Sequence, residues 1–94
     1  MNRDTVLSAV TNILTARGAN YGDAYINHKR IGDLWSVILG KPVAPHEVAL
    51  CMAALKIARL VESKHHADSW IDLAGYAAIG AECVEPNSRP TEGR

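Results

Sequence analysis

Residues 45–81, PHEVALCMAALKIARLVESKHHADSWIDLAGYAAIGA, decide the fold of this chain. The stretch predicts two helices joined by a tight polar turn around His65 and His66. Pro45 suits the first position of a helix because its missing N–H would have no intrahelical partner there. Apolar residues and alanines then surround much of the first helix, which is typical of a central, buried element. We therefore predict an antiparallel helix hairpin at the centre of the domain.

This hairpin carries charged side chains beside its apolar residues. Lys56 and Arg59 are three residues apart and share a face of the first helix. On the second helix, Asp68, Asp72 and Tyr76 recur at every fourth position and line one stripe. Folding back about the two histidines would bring Arg59 level with Asp72, so a structural salt bridge is one expectation. A site for a small anionic ligand is the other.

Composition limits the possible partners. The chain has 94 residues, of which 48% are hydrophobic, and this fits one small domain. Ten basic and ten acidic residues cancel, so the chain lacks the positive surface with which proteins hold DNA or RNA. We expect no nucleic-acid binding. A small phosphorylated ligand remains compatible, because it needs only a few local cations.

The cysteines and histidines do not form a metal motif. Cys51 and Cys83 lie far apart, each in an apolar helical pattern where a thiol behaves as a small hydrophobe. Buried free cysteines suit a reducing cytoplasm. His65 and His66 are adjacent, and neither has a second histidine at a metal-ligand spacing. We expect no bound metal, no signal peptide or membrane span, and a cytoplasmic location.

The first helix is predicted from Asp4 to Arg17, with Gly18 as a left-handed terminator. Its narrow apolar face is typical of a helix that packs at an edge or against another subunit, so we expect a homo-oligomer. Residues 18–25, GANYGDAY, are predicted to form a loop. Tyr21 in this loop would either stack on a ligand or pack on the core.

Asn27 is the predicted cap of the second helix, which would place His28, Lys29 and Arg30 in its first turn. Cations there oppose the helix dipole, and a bound anion would offset that cost because free N–H groups at a helix start bind phosphate. Arg30 borders the apolar face that contains Trp35. It would contact phosphate, or it would belong to a solvated basic turn.

These patterns predict an all-α fold, a small four-helix domain at residues 1–83 followed by a flexible tail at 84–94. Asp68 or Ser69 is expected to cap the last helix. The predicted helices are 4–17, 27–39, 45–63 and 69–83.

Four segments carry a resemblance to a known family. They are YGD at 21–23, NHKRIGDLW at 27–35, VALCMAALKIARL at 48–60 and DSWIDLAGYAA at 68–78. Together they resemble an uncharacterised family of small phage and prophage proteins. The last two are also distantly similar to the all-α nucleotide pyrophosphohydrolases of the MazG kind. The resemblance implies a helical, oligomeric, nucleotide-handling protein of phage origin.

The sequence departs from the MazG-like pattern at its metal ligands. Those enzymes use an ExxE pair and a further acidic pair to hold Mg²⁺ against a triphosphate. Here Glu47 is followed three residues later by Leu50, so the first pair is missing. Lys56 and Arg59 would instead attract phosphate directly, and this favours binding over hydrolysis.

Three hypotheses follow. The first is a non-catalytic protein, without a cofactor, that binds a nucleotide or a nucleotide-derived small molecule and, in a phage, would sequester an immune signal of that kind. The second is a Mg²⁺-dependent pyrophosphohydrolase with Asp68 and Asp72 as ligands, completed by Glu47 or Glu62. The third is a helical protein–protein interaction module. The ligand-binding residues expected under the first hypothesis are Tyr21, Arg30, Trp35, Lys56, Arg59, Asp68, Asp72 and Tyr76.

Overall fold

The chain folds into four helices and no strand over residues 1–85, the part that the computed structural model describes. The all-α prediction is therefore confirmed. Nearly all of the tail predicted at 84–94 lies outside the described residues, which end at 85. The helices are Arg3–Tyr21 (α1), Ala24–Leu39 (α2), Pro45–Glu62 (α3) and Ala67–Val84 (α4).

Helices α3 and α4 form the central antiparallel pair, as predicted, and share the most extensive interface in the domain. Helix α2 packs on α3, and α1 packs on α4, whereas α1 and α2 contact each other little. The buried centre consists of Ala49, Ile79 and Cys83, with Leu14 and Tyr76 among the side chains packed against it. The core is thus small and mainly aliphatic.

The two helices of the hairpin begin with different caps. Pro45 is the first residue of α3, and the Glu47 carboxylate accepts a hydrogen bond from the Ala44 N–H at 2.8 Å. Helix α4 begins after His66, whose Nδ1 accepts from the Ser69 N–H at 3.3 Å and lies 2.7 Å from the Ser69 hydroxyl oxygen. The prediction of Asp68 or Ser69 as the cap was wrong, because the imidazole nitrogen takes that role.

Helix α1 does not end at Gly18, as predicted, but continues to Tyr21. Gly22 is the residue that adopts a positive φ, of 78°, and its N–H donates to the Gly18 carbonyl at 3.0 Å. A glycine that keeps helical dihedrals costs some stability without ending the helix. The predicted loop at 18–25 therefore shrinks to the two residues between α1 and α2.

Helix α2 begins at Ala24, one turn before the predicted cap at Asn27. The Asp23 carboxylate caps it by accepting a hydrogen bond from the Ile26 N–H at 2.9 Å. Consequently His28 and Arg30 lie in the second turn, away from the free N–H groups of the helix start. The predicted reason for phosphate binding at Arg30 does not apply to this geometry.

Helix α3 is covered on one side only. Cys83 is buried as predicted, but Cys51 is exposed, so its predicted burial was wrong. The apolar pattern surrounds α3, whereas α2 and α4 cover only part of its circumference.

Over the described residues, no helix is both long enough and apolar enough to cross a lipid bilayer.

Candidate functional site

A cavity of about 640 Å³ lies where the junction of α1 and α2 faces α4. Its volume falls within the range of ~300–1,000 Å³ that is usual for small-molecule sites. Three aromatic side chains line it, Tyr21 from α1, Trp35 from α2 and Tyr76 from α4. Trp35 and Tyr76 are partly buried, whereas Tyr21 is exposed. The cavity can therefore hold a flat, apolar group against several rings.

Helical spacing explains which residues of α2 reach the cavity. Ala24, His28, Ile31 and Trp35 follow one another at intervals of four, three and four residues, which places them on one face of a helix. All four line the cavity. The cap at Asp23 makes Ala24 the first residue of this face, because it fixes where α2 begins.

The charges around the cavity are few. Within residues 1–85, Arg17 is the only arginine or lysine that lines it, and Asp23 and Glu82 are the acidic residues that do so. The Asp23 carboxylate is already engaged as the cap of α2. Arg17, whose Nη2 also lies 3.7 Å from Asp72 Oδ1, is therefore the cation that this lining offers to a single negative group on a ligand. Over the described residues the lining has too few cations for a polyphosphate.

His28 contributes a buried acceptor with no partner among residues 1–85. Its side chain is 5% exposed, and Nδ1 lies 2.9 Å from the Ala24 carbonyl oxygen. A carbonyl only accepts, so Nδ1 carries the hydrogen and Nε2 has a free lone pair. Over the described part of the chain, Nε2 is buried without a hydrogen bond. Burial lowers the pKa of His28, more than the bond to Ala24 raises it, so the ring is neutral near pH 7.

The lowered pKa of His28 predicts that stability decreases in acid. The unfolded chain, with a pKa near 6.5, takes up the proton before the folded chain does. The free energy of unfolding should therefore be fully present above pH 6.5 and fall as the pH drops below it. Denaturant unfolding at a series of pH values measures this. His28→Gln should flatten the dependence, while the exposed control His65→Gln should keep it; an unchanged slope in His28→Gln would contradict the prediction.

Lys56 and Asp72 form a mostly buried ion pair beside the cavity. The Lys56 Nζ lies 2.9 Å from Asp72 Oδ2, and the side chains are 12% and 15% exposed. Arg17 Nη2 lies 3.7 Å from the other oxygen of Asp72. This arrangement joins α3, α4 and α1. A salt bridge across the hairpin was expected, but the predicted partner Arg59 is exposed and makes no ion pair within residues 1–85.

The eight residues predicted to bind a ligand therefore separate into three groups. Three of them line the cavity: Tyr21, Trp35 and Tyr76. Two form the ion pair: Lys56 and Asp72. Three are exposed and lie outside the cavity: Arg30, Arg59 and Asp68. The structure gathers the predicted aromatic residues but does not gather the three cations predicted to contact phosphate.

Sequence reasoning missed Arg17, His28 and Glu82 as lining residues. His28 and Trp35 are seven residues apart, which places them on one face of a helix. This spacing could have indicated that His28 lies beside Trp35 in the cavity lining. Arg17 and Glu82 had no such signal, because their positions depend on how α1 packs against α4.

The carboxylates of the hydrolase hypothesis do not converge within one subunit. In the described part of the chain, no group of three or more His, Cys, Asp or Glu side chains is placed to hold a metal ion. Glu47 is engaged at the start of α3, and Asp72 is paired with Lys56.

Comparison with known proteins gives a family and two relatives. Residues 5–84 match the family described as Domain of unknown function (DUF6378). The chain is 40% identical over 77 residues to the Gene 55 protein of Mycobacterium phage L5. The aligned residues make up 80% of this chain and 49% of that protein. It is 41% identical over 78 residues to the Gene 55 protein of Mycobacterium phage D29, and these residues make up 82% of this chain and 49% of that protein. The chain thus spans about half the length of these curated relatives. No solved structure matches it.

Proposed function

The chain belongs to the DUF6378 family, and we propose that it binds a nucleotide or a nucleotide-derived small molecule in the cavity between α1, α2 and α4, without altering it chemically. The observation that carries this proposal is the combination of three aromatic rings with one buried, unpartnered acceptor. A nucleobase offers both counterparts, a flat π-face and edge N–H groups. Stacking of a base on an aromatic side chain contributes ~1–3 kcal/mol.

His28 supports a ligand that donates a hydrogen bond. A buried acceptor without a partner costs roughly 1–3 kcal/mol, and a ligand N–H that reaches Nε2 would remove this cost. Glu82 adds a second acceptor to the lining. These groups favour a base with an amino group or a ring N–H over one that presents only acceptors.

The single arginine supports a small anionic end. Arg17 can engage one phosphate or phosphodiester, whereas Asp23 and Glu82 disfavour several negative groups in the same space. A nucleoside monophosphate or a cyclic nucleotide therefore fits the charges better than a triphosphate does. Arg30 and Arg59 lie outside the cavity, so the predicted phosphate contacts of these residues are not part of the proposal.

The relatives are phage proteins, and sequestration is the role that we propose for a phage-encoded binder of this kind. Sequestration lowers the free concentration of a host nucleotide signal by mass action, and it needs no turnover. The lack of a gathered set of carboxylates in the described residues is compatible with such a role.

Thermal unfolding against nucleosides and mono-, tri- and cyclic nucleotides, with and without Mg²⁺, tests the proposal. A ligand at about one hundred times its dissociation constant should add ~2.7 kcal/mol of stability. Stabilisation without Mg²⁺, with the ligand recovered intact, is the expected result. No shift with any nucleotide would contradict binding, and cleavage that requires Mg²⁺ would favour the hydrolase hypothesis.

Two tryptophans provide a matched pair of variants for the same titration. Trp35→Leu should weaken binding about tenfold, because the ligand loses a stacking surface. Trp70 lies outside the cavity and donates its indole N–H to the Lys64 carbonyl, so Trp70→Leu should leave affinity unchanged. Equal affinity of both variants and the unmodified protein would exclude this cavity as the binding site.

A further inference from the structure

The outward side of α3 is a continuous apolar stripe, defined here as Leu50, Ala54, Ile57 and Val61. Leu50 is 63% exposed, Ile57 51% and Val61 84%, and Ala54 is also exposed. The intervals of four, three and four residues keep these side chains on one face, as in the seam of a coiled coil. Such a face on the central helix of a domain is unusual for a surface that meets water.

Charged residues barely interrupt this side of the helix. From Leu50 to Val61 the only charged residues are Lys56 and Arg59, and Lys56 is turned inward to its ion pair with Asp72.

The domain also buries little apolar surface. Within residues 1–85, seven hydrophobic residues are buried, whereas thirteen large hydrophobic residues are exposed. Small domains with so thin a core are commonly completed by a second subunit.

We propose that the α3 stripe pairs with the same stripe of a second copy of this chain, in an antiparallel dimer. The intervals of four, three and four residues are the same in either chain direction. The side chains of the two stripes therefore lie opposite one another when the two helices run antiparallel. Leu50 then lies opposite Val61 of the second copy, and Ala54 lies opposite its Ile57. A small residue faces a large one at the centre, which allows the helices to approach closely.

Charge favours the antiparallel arrangement over the parallel one. In this register Glu47, at the start of α3, lies opposite Lys64 of the second copy, just beyond the end of α3. The helix dipoles also run in opposite directions and attract. A parallel pair would instead place each Glu47 beside the other Glu47, and each Lys64 beside the other Lys64. The stripe and the ion pair with Asp72 lie on different sides of α3, so dimerisation does not depend on ligand binding in the cavity.

Sedimentation velocity over a range of protein concentrations tests the dimer. The unmodified protein should sediment as a dimer, and Leu50→Lys should raise the dissociation constant of the dimer by about tenfold or more, because a charge would enter an apolar seam. Leu7→Lys is the matched control. Leu7 is 61% exposed and lies on α1, which does not pack against α3, so this variant should remain a dimer.

Circular dichroism of both variants should show the helical content of the unmodified protein, since neither leucine is buried. A monomeric unmodified protein would overturn the proposal, and equal dissociation of the two variants would overturn its assignment to α3. For orientation, Lys64→Glu should weaken the dimer more than Lys41→Glu, which makes the same charge change at another exposed position. An unweakened dimer in Lys64→Glu would overturn the antiparallel register.

Discussion

Gly32→Ala is expected to lower the free energy of unfolding by about 2–3 kcal/mol, because a methyl group does not fit between α2 and the segment that leads into α3. A Cβ at Gly32 would lie 2.6 Å from the Val43 carbonyl oxygen and 3.5 Å from Val48 Cγ2. The Val43 backbone is not free to move away. Its N–H donates to Ser36 Oγ at 2.9 Å, and that hydroxyl donates to the Gly32 carbonyl at 2.7 Å.

Denaturant unfolding of Gly32→Ala and Gly18→Ala measures this effect with an internal control. Gly18 is also inside a helix, but a Cβ there would meet no atom of the described residues within 4 Å. Alanine at position 18 should therefore stabilise α1 by roughly 0.5–1 kcal/mol, as expected when a helical glycine is replaced. If Gly32→Ala were neutral or stabilising, the close approach of α2 to Val43 would be refuted.

The helix hairpin could be predicted because proline, the apolar pattern and the polar turn all indicate the same structure. The register, meaning which residues of α3 lie opposite which residues of α4, could not be predicted. A turn centred on His65 and His66 pairs Arg59 with Asp72, whereas the observed turn at 63–66 pairs Lys56 with Asp72. Moving the turn centre by one residue moves the opposing position by two residues, which is more than half a helical turn.

The helix starts were predicted less well, because more than one residue was a plausible cap. Asp23 and Asn27 both have side chains that cap helices, and only the packing of α2 selects Asp23. At α4 the cap is His66, a residue type outside the usual cap preferences. The error at α2 affected the functional prediction directly, since the observed start leaves Arg30 in the second turn of the helix.

The aromatic half of the candidate site was predicted, and the charged half was not. Tyr21 was selected as an aromatic residue in a predicted loop, Trp35 from the apolar face of the second helix, and Tyr76 from the stripe of every fourth residue on the last helix. All three line the cavity. The cations were selected from a shared helix face, for Lys56 and Arg59, and from a predicted helix start, for Arg30. A sequence does not show which arginine lines a cavity where three helices meet, and within residues 1–85 Arg17, on α1, is the one that does.

Lys56→Met is expected to cost about 2 kcal/mol of stability. The substitution keeps the aliphatic stem but leaves the Asp72 carboxylate, 15% exposed, with Arg17 at 3.7 Å as its one remaining cation among residues 1–85. Removing one partner of a fully buried ion pair costs ~3–5 kcal/mol. The expected loss is smaller here because both side chains retain some contact with water and Arg17 supplies partial compensation.

A second ion pair on the surface separates the effect of burial from the effect of charge. Lys29 Nζ lies 3.0 Å from Asp33 Oδ2, but these side chains are 46% and 66% exposed. Lys29→Met should therefore cost no more than ~0.5 kcal/mol of stability. Combining Lys56→Met with Asp72→Leu should recover most of the stability, because an apolar pair has no carboxylate left unpaired. If the double variant were as unstable as Lys56→Met, the loss would come from packing of the lysine stem and not from the stranded charge of Asp72.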